Sequence, residues 1–215
     1  MATGEFITFE GGEASGKSTQ VKRLAEELTQ KGYDVVITRE PGGDESCERI
    51  RNLLLEHQWQ PLSEVMLFAA NRYEHSHNLI MPGVAAGKIV LCDRFMDSSM
   101  AYQGYGLGMP LALLKTLESY VVPLAPSLTF IIDLEPSLAT ERLEKRGKLN
   151  HIDKRPLAFH ERVRAGYHAI AKENPKRCIL IEGNQEENDV YQHIRTLTLK
   201  HLEGIQQRES SSIRS

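Results

Sequence analysis

The chain has 215 residues and a formal net charge of −3 at pH 7, which is long enough to bury a substantial single core and carries no basic excess to mark a nucleic-acid surface. Its three cysteines, Cys47, Cys92 and Cys178, are widely spaced without a CxxC pair, which argues against a disulfide framework or zinc site and for inert thiols in a reducing compartment. Met1-Ala2-Thr3-Gly4 leads straight into an apolar stretch and no apolar run approaches transmembrane length, so the expectation is a cytoplasmic protein with no membrane partner and no nucleic-acid partner.

Phe6 to Glu10 predicts a first strand from its apolar, β-branched and aromatic residues. Residues 11 to 18, GGEASGKS, then match G-x-x-x-x-G-K-[ST] without a gap. Gly11 and Gly16 allow a tight turn whose N–H groups converge on a phosphate, so Gly11, Gly12, Glu13, Ala14, Ser15, Gly16, Lys17, Ser18 and Thr19 form the candidate ATP-binding loop. Lys17 places an ammonium against the β and γ phosphates, and Ser18 offers its hydroxyl to Mg²⁺. Val21, Leu24, Ala25 and Leu28 fall at helical spacing after it, with Gly32 as a stop. A Gly-rich turn with a surface lysine is the plain alternative.

Strand-like and helix-like segments go on alternating, the pattern of a parallel sheet covered by helices. Asp34 to Thr38 reads as a second buried strand ending in the turn Arg39-Glu40-Pro41-Gly42-Gly43. Glu45 to Leu55 is helix-like. A long amphipathic helix is expected from about Glu64 towards Ile80, broken by Pro82 and Gly83. Ile89 to Cys92 is a buried strand with Asp93-Arg94 at its carboxyl end, where open α/β sheets bind ligands. There Asp93 can hold Mg²⁺ through water, and Arg94 can bridge two phosphates; a surface ion pair is the alternative. Arg39, at the same end of the second strand, suits an acceptor phosphate.

Residues 97 to 109 read as a Ser, Gly and Tyr-rich loop, Pro110 to Val121 as a helix and Leu128 to Leu134 as a fourth strand. Pro136 opens a helix on which Arg142 and Arg146 share a face. Gly147 to Arg155 reads as a loop. With Lys148, His151, Lys154 and Arg155 this makes a lid of about residues 142 to 155, able to bring positive charge over a moving phosphoryl group, unless it is simply a solvated face. Phe159, Val163, Tyr167 and Ile170 mark another helix, Ile179 to Ile181 a fifth strand and Asp189 to Leu202 a last helix. The expectation is one domain over residues 1 to 205, an α/β P-loop NTPase fold with a five-stranded parallel sheet flanked by helices on both faces and a small mobile lid, followed by a disordered tail from 206 to 215.

FEGGEASGKSTQ, TREPGG at 38 to 43, LFAANRYEH at 67 to 75, DRFMDSSMAYQGYG at 93 to 106, RLEKRG and FHERVRAGY at 159 to 167 together resemble thymidylate kinase of the bacterial kind. The resemblance runs from Phe9 to about Gly183. It implies an ATP-dependent, Mg²⁺-assisted kinase acting on dTMP to give dTDP, and a homodimer through a long helix, Ser63 to Ile80. Glu13 would contact the deoxyribose 3′-hydroxyl, Arg39 would hold the acceptor phosphate, Phe68 would stack on thymine and Arg72 would bond its edge. Ser98, Tyr102, Gln103 and Tyr105 would close the pocket. As residues alone, Phe68 on an amphipathic helix reads more often as a core residue, and Tyr102 with Tyr105 as simple loop packing. The phosphate loop contains no arginine, so the lid type is implied, with Lys17, Asp93, Arg94, Arg146 and Arg142 as the catalytic set. The lid departs from the family's Asp-Arg-x-Glu, reading Asn150-His151-Ile152-Asp153, with a partly charged histidine for an arginine. A kinase of another nucleoside monophosphate would lack the Phe68, Arg72 and Gln103 set; a nucleotide switch would need an Asn-Lys-x-Asp segment, which is missing.

Overall fold

Five segments rich in β-branched and aromatic residues form the sheet: Glu5–Gly11 (β1), Val35–Arg39 (β2), Ile89–Asp93 (β3), Leu128–Asp133 (β4) and Cys178–Glu182 (β5). All neighbours pair in parallel, in the order β2-β3-β1-β4-β5. Parallel pairing requires crossovers, and helices supply them. They are Lys17–Gln30 (α1), Glu45–Glu56 (α2), Pro61–His75 (α3), Met81–Ala85 (α4), Met96–Ser99 (α5), Leu111–Val121 (α6), Pro136–Arg146 (α7), Leu157–Glu173 (α8) and Glu187–Ser212 (α9). This computed structural model describes residues 4–147 and 149–212.

Side chains alternate across the sheet. Ile7, Phe9, Leu91, Phe130 and Ile132 pack on Val21, Leu24 and Leu28 of α1 and on Val190 and Ile194 of α9. On the opposite face Ile131 meets Tyr102, Phe159, Val163 and Tyr167, while Phe6, Val90 and Cys92 meet Ile80 and Phe95. Each fully buried side chain of this size contributes about 1.5–3 kcal/mol. Register aligns the carboxyl ends that matter: Phe9 of β1 and Arg39 of β2 both stand opposite Asp93 of β3. Gly11, Asp93 and Arg39 therefore emerge at one edge of the sheet.

Four expectations change. The second strand is not buried throughout: β2 is the edge of the sheet, and its Ile37 is exposed. Pro82 and Gly83 do not end the third helix, because α3 passes through a π-helical segment, Ser76–Ile80, into α4. Pro82 then lies where the π-helical segment passes back into α4, at a change in the hydrogen-bond ladder that accommodates a residue without an N–H. Most of the expected loop at 97 to 109 is helical, because α5 continues into a second π-helical segment, Met100–Gly106, and only 107 to 109 are irregular. Its glycines serve close packing; a Cβ at Gly106 would lie 2.5 Å from the Phe159 ring and one at Gly104 2.6 Å from Leu111. Finally, α9 does not stop near Leu202 but runs to Ser212, so residues 206 to 212 of the expected tail are helical. Gln206 and Gln207 are good helix formers, and Gln206 Nε2 donates to the Tyr33 hydroxyl at 3.2 Å. Positions 213 to 215 of that tail lie outside the described residues, as does Lys148 of the expected lid.

Candidate active site

Between β1 and α1 the chain turns on two glycines. Gly11 has φ 134°, and a Cβ there would sit 2.3 Å from the Ile132 carbonyl oxygen; Gly16, φ 95°, caps α1. At both positions the backbone conformation disfavours any residue with a Cβ. Lys17 is buried, and its ammonium donates to Gly12 O at 2.6 Å, Ser15 Oγ at 3.1 Å and Gly11 O at 3.2 Å. Burial, then repulsion from Arg94, lowers it to about 8 against the pull of Asp93, Glu13 and Glu10. A folded-back ammonium beside a helix N-terminus is a prepared phosphate site. Thr19 is exposed just inside α1, its N–H donating to Gly16 O.

Across the loop, Ser18 Oγ donates to Asp93 Oδ2 at 2.5 Å. Hydroxyl and carboxylate oxygens side by side at a phosphate loop fit Mg²⁺, which takes few protein ligands and completes its shell with phosphate and water oxygens. No cluster of three or more His, Cys, Asp or Glu side chains suited to a metal occurs among the described residues, so a dedicated protein cage is not what this site offers.

Arg94, next to Asp93, has φ 72°, uncommon for a residue with a Cβ. Its guanidinium is caged: Nη1 donates to Gly11 O at 2.9 Å, Ser98 Oγ at 3.2 Å and Tyr167 OH at 3.3 Å, and Nη2 to Glu13 Oε1 at 2.7 Å and Tyr102 OH at 3.2 Å. Burial opposes its charge, but Glu13 and its neighbours hold it fully protonated. Burial likewise pushes the Glu13 carboxyl up, and Arg94 and Lys17 overcome this, holding it at about 2.

Beside Arg94 opens a cavity of about 100 Å³ whose walls include Glu13, Phe68, Arg72, Arg94, Ser98, Tyr102 and Gln103. Residues selected from three separate stretches of sequence thus meet at one place. The π-helical segment Met100–Gly106 presents Tyr102 and Gln103, and α3 presents Phe68 and Arg72. Arg72 is buried; Nε donates to Glu40 Oε2 at 2.8 Å, Nη1 to Ser99 Oγ at 3.0 Å and Nη2 to Phe95 O at 2.9 Å. Glu40 is held in turn by His75 Nδ1 at 3.1 Å, whose Nε2 lies 2.6 Å from Thr38 Oγ1. Gln103 Nε2 donates to buried Glu64, which also receives Arg155.

Other selected residues lie elsewhere. Arg39 is half exposed and bonded to Glu48 at 2.8 and 3.0 Å, outside the cavity wall. Tyr105 does not line the cavity; its ring lies where a Cβ on Gly166 of α8 would be, 2.8 Å away. Arg142 Nη1 reaches the phosphate loop, donating to Ala14 O at 3.3 Å. The Arg146 side chain is outside what is described. His151 turns away from the loop and donates through Nδ1 to Leu55 O of α2 at 3.3 Å, and Ile152 beside it is buried in the core. Sequence reasoning missed Arg51, Asn150 and Ile152 in the cavity wall. Arg51 donates to Pro41 O at 2.6 Å, and burial and then Arg39 lower its pKa. Its spacing on α2 was the available signal, a cation among apolar helix positions.

The family model of thymidylate kinase matches residues 9–194. The chain belongs to the thymidylate kinase family. It is 45% identical over 206 residues to the thymidylate kinase of Caulobacter vibrioides, covering 94% of this chain and 99% of that one. A second relative, the thymidylate kinase of an Exiguobacterium species, is 44% identical over 210 residues, covering 95% and 99%. Among solved structures, the thymidylate kinase of Ehrlichia chaffeensis superimposes with a TM-score of 0.76 at 40% identity, over 91% of this chain and 99% of that one. The P-loop NTPase fold expected from the phosphate loop is the fold observed. Within the thymidylate kinase family frame, the loop Glu13-Ala14-Ser15 lacks an arginine, and the described lid side chain that meets it is Arg142.

Proposed function

We propose that this chain catalyses ATP-dependent phosphoryl transfer to dTMP, giving dTDP, with the donor at the phosphate loop and the acceptor in the cavity beside it. The observation that carries this reading is the position of Arg94, bonded to Gly11 of the loop and lining the cavity that holds Phe68, Arg72 and Gln103. One cation therefore serves two sites. Lys17 and the N-terminus of α1 bind the donor phosphates, and Arg94 draws donor and acceptor phosphates together. Arg142, from α7, neutralises charge developing on the moving group. Arg39 and Arg51 add cations on the acceptor side. Ser18 directly, and Asp93 through water, would hold Mg²⁺, which supplies charge neutralisation on phosphate oxygens.

The acceptor oxygen is largely ionised at pH 7, because a phosphomonoester's second pKa is about 6, so no general base is required. Phe68 offers a ring face to the base and Arg72 a fixed hydrogen-bonding edge; Ser98, Tyr102 and Gln103 close the site around it, and Glu13 faces the sugar. We further propose a homodimer and a cytoplasmic location. Leu62, Met66 and Tyr73 on α3 and Leu113 and Tyr120 on α6, two helices packed together, are exposed apolar side chains that a second copy would cover. The buried cysteines are all unpaired, consistent with a reducing compartment.

A calorimetric binding test separates donor from acceptor. With dTMP alone, Lys17→Ala should bind like the unaltered chain while Phe68→Ala should bind on the order of tenfold more weakly. Equal dTMP affinity in the Phe68 variant would remove the base from this cavity.

A further inference from the structure

Glu10 is the last side chain of β1 before the phosphate loop, it is fully buried, and it is absent from the walls of the acceptor cavity. Its side-chain hydrogen bonds lead towards Arg94. Oε1 accepts from the backbone N–H of Phe95 at 2.8 Å. Oε2 accepts from Ser98 Oγ at 2.6 Å and from Tyr167 OH at 3.1 Å. Those two hydroxyls are the ones that accept from Arg94 Nη1, so a carboxylate stands behind the guanidinium at one remove. The same carboxylate fastens the residue that follows the left-handed turn at Arg94.

We infer that Glu10 is a positioning residue: acting through the Ser98 and Tyr167 hydroxyls and the Phe95 amide, it aims the Arg94 guanidinium at the phosphates. An acceptor with two oxygens is needed for this. A glutamine amide could keep the Phe95 bond but would present a donor where two hydroxyls must donate.

The environment otherwise disfavours a charge at this position. Burial, then Asp97 of α5, pushes the Glu10 carboxyl up to about 7, against Ser98, Arg94 and the Phe95 amide. Arg177 is drawn off by Asp97, which it grips at 2.6 and 2.9 Å; Tyr167 approaches from α8, and Lys17 from the loop, a charge that Glu10 in turn helps to stabilise. Because the folded pKa lies above the ordinary value of 4.5, stability contributed by this site is complete below pH 4.5 and is lost as pH rises through 7. A carboxylate kept where it lowers stability is what a positioning role for a neighbouring cation explains.

This inference rests on the reading of Arg94 as the cation between the two phosphates, so the test carries both. Steady-state kinetics of the full chain would be compared for Glu10→Gln, Arg94→Ala and the double variant, with unfolding midpoints at pH 8. Glu10→Gln should lower kcat on the order of 100-fold, leave the KM for ATP unchanged and unfold no earlier than the unaltered chain. In the double variant the loss should equal that of Arg94→Ala alone, a non-additivity that a merely structural role would not produce. Unaltered kcat in Glu10→Gln beside an inactive Arg94→Ala, or losses that multiply in the double variant, would overturn the inference and leave the reading of Arg94 standing. An active Arg94→Ala would overturn both. Should Glu10→Gln not fold, Tyr167→Phe carries the same cycle: a kcat loss absorbed by Arg94→Ala supports the inference, and a multiplied loss overturns it.

Discussion

Glu13 lies within the phosphate loop and ties Arg94 to Tyr102, and its low pKa makes it a stabilising charge. The folded value of about 2 lies below the ordinary 4.5, so its contribution is present above pH 4.5 and is lost as pH falls through 2. The gap in unfolding free energy between the unaltered chain and Glu13→Gln should be widest near neutral pH and close towards pH 2, as read by urea titrations at a series of pH values. Arg72 presents a different balance. Its partner Glu40 is as buried as it is, so removing the guanidinium strands a carboxylate. Arg72→Met should lose about 3–5 kcal/mol of stability as well as the proposed base contacts, and a denaturation midpoint unchanged from that of the unaltered chain would contradict the pairing. Lys17→Ala, by contrast, removes a side chain bonded mainly to its own loop. It should abolish most turnover while circular dichroism stays the same.

The loops and helix ends, more than the strands, carry the site, and they differ in how readable they were. The phosphate loop was legible because sterics leave few options: Gly11 has no room for a Cβ beneath Ile132 O, and Gly11→Ala should therefore lose ATP binding, measured by titration with a fluorescent analogue. Strands were legible from short apolar runs, since the central ones are bounded by turns and buried on both faces. The segment 97 to 109 was not, because Gly104 and Gly106 look like turn residues while acting as the flat surface on which Leu111 and Phe159 rest. Tyr102 and Gln103 reach the cavity only because this stretch is helical. Arg51 was missed for another reason: its helical spacing with Cys47 and Leu54 puts it on the inner face of α2, but that spacing does not say which neighbouring turn the cation meets. Arg51→Ala should raise the KM for dTMP about tenfold and leave that for ATP unchanged, which steady-state kinetics with each substrate varied would check.

At the scale of the whole molecule, the sheet order puts β1 in the centre, so the donor loop and the β3 carboxyl end open on the same edge, with α3, α5 and the segment after it forming the second wall. The alternation of strands and helices made this architecture legible, and the resemblance in DRFMDSSMAYQGYG joined it to a substrate class. How the lid settles was not legible. Its cations divide between partners distant in sequence, Arg142 on Ala14 and Arg155 on Glu64, and no local pattern encodes that division. The exposed apolar side chains of α3 and α6 belong to this scale too: the proposed dimer predicts that the unaltered chain sediments as a dimer and that Met66→Glu together with Tyr120→Glu sediments as a monomer. The most direct measurement of the central claim is ADP release by the purified chain with MgATP, comparing dTMP with dUMP, UMP, dCMP, AMP and no acceptor. Rapid turnover with dTMP, and far slower release with the others, is the predicted result. Equal or faster turnover with another monophosphate, or ADP release that needs no acceptor, would contradict it.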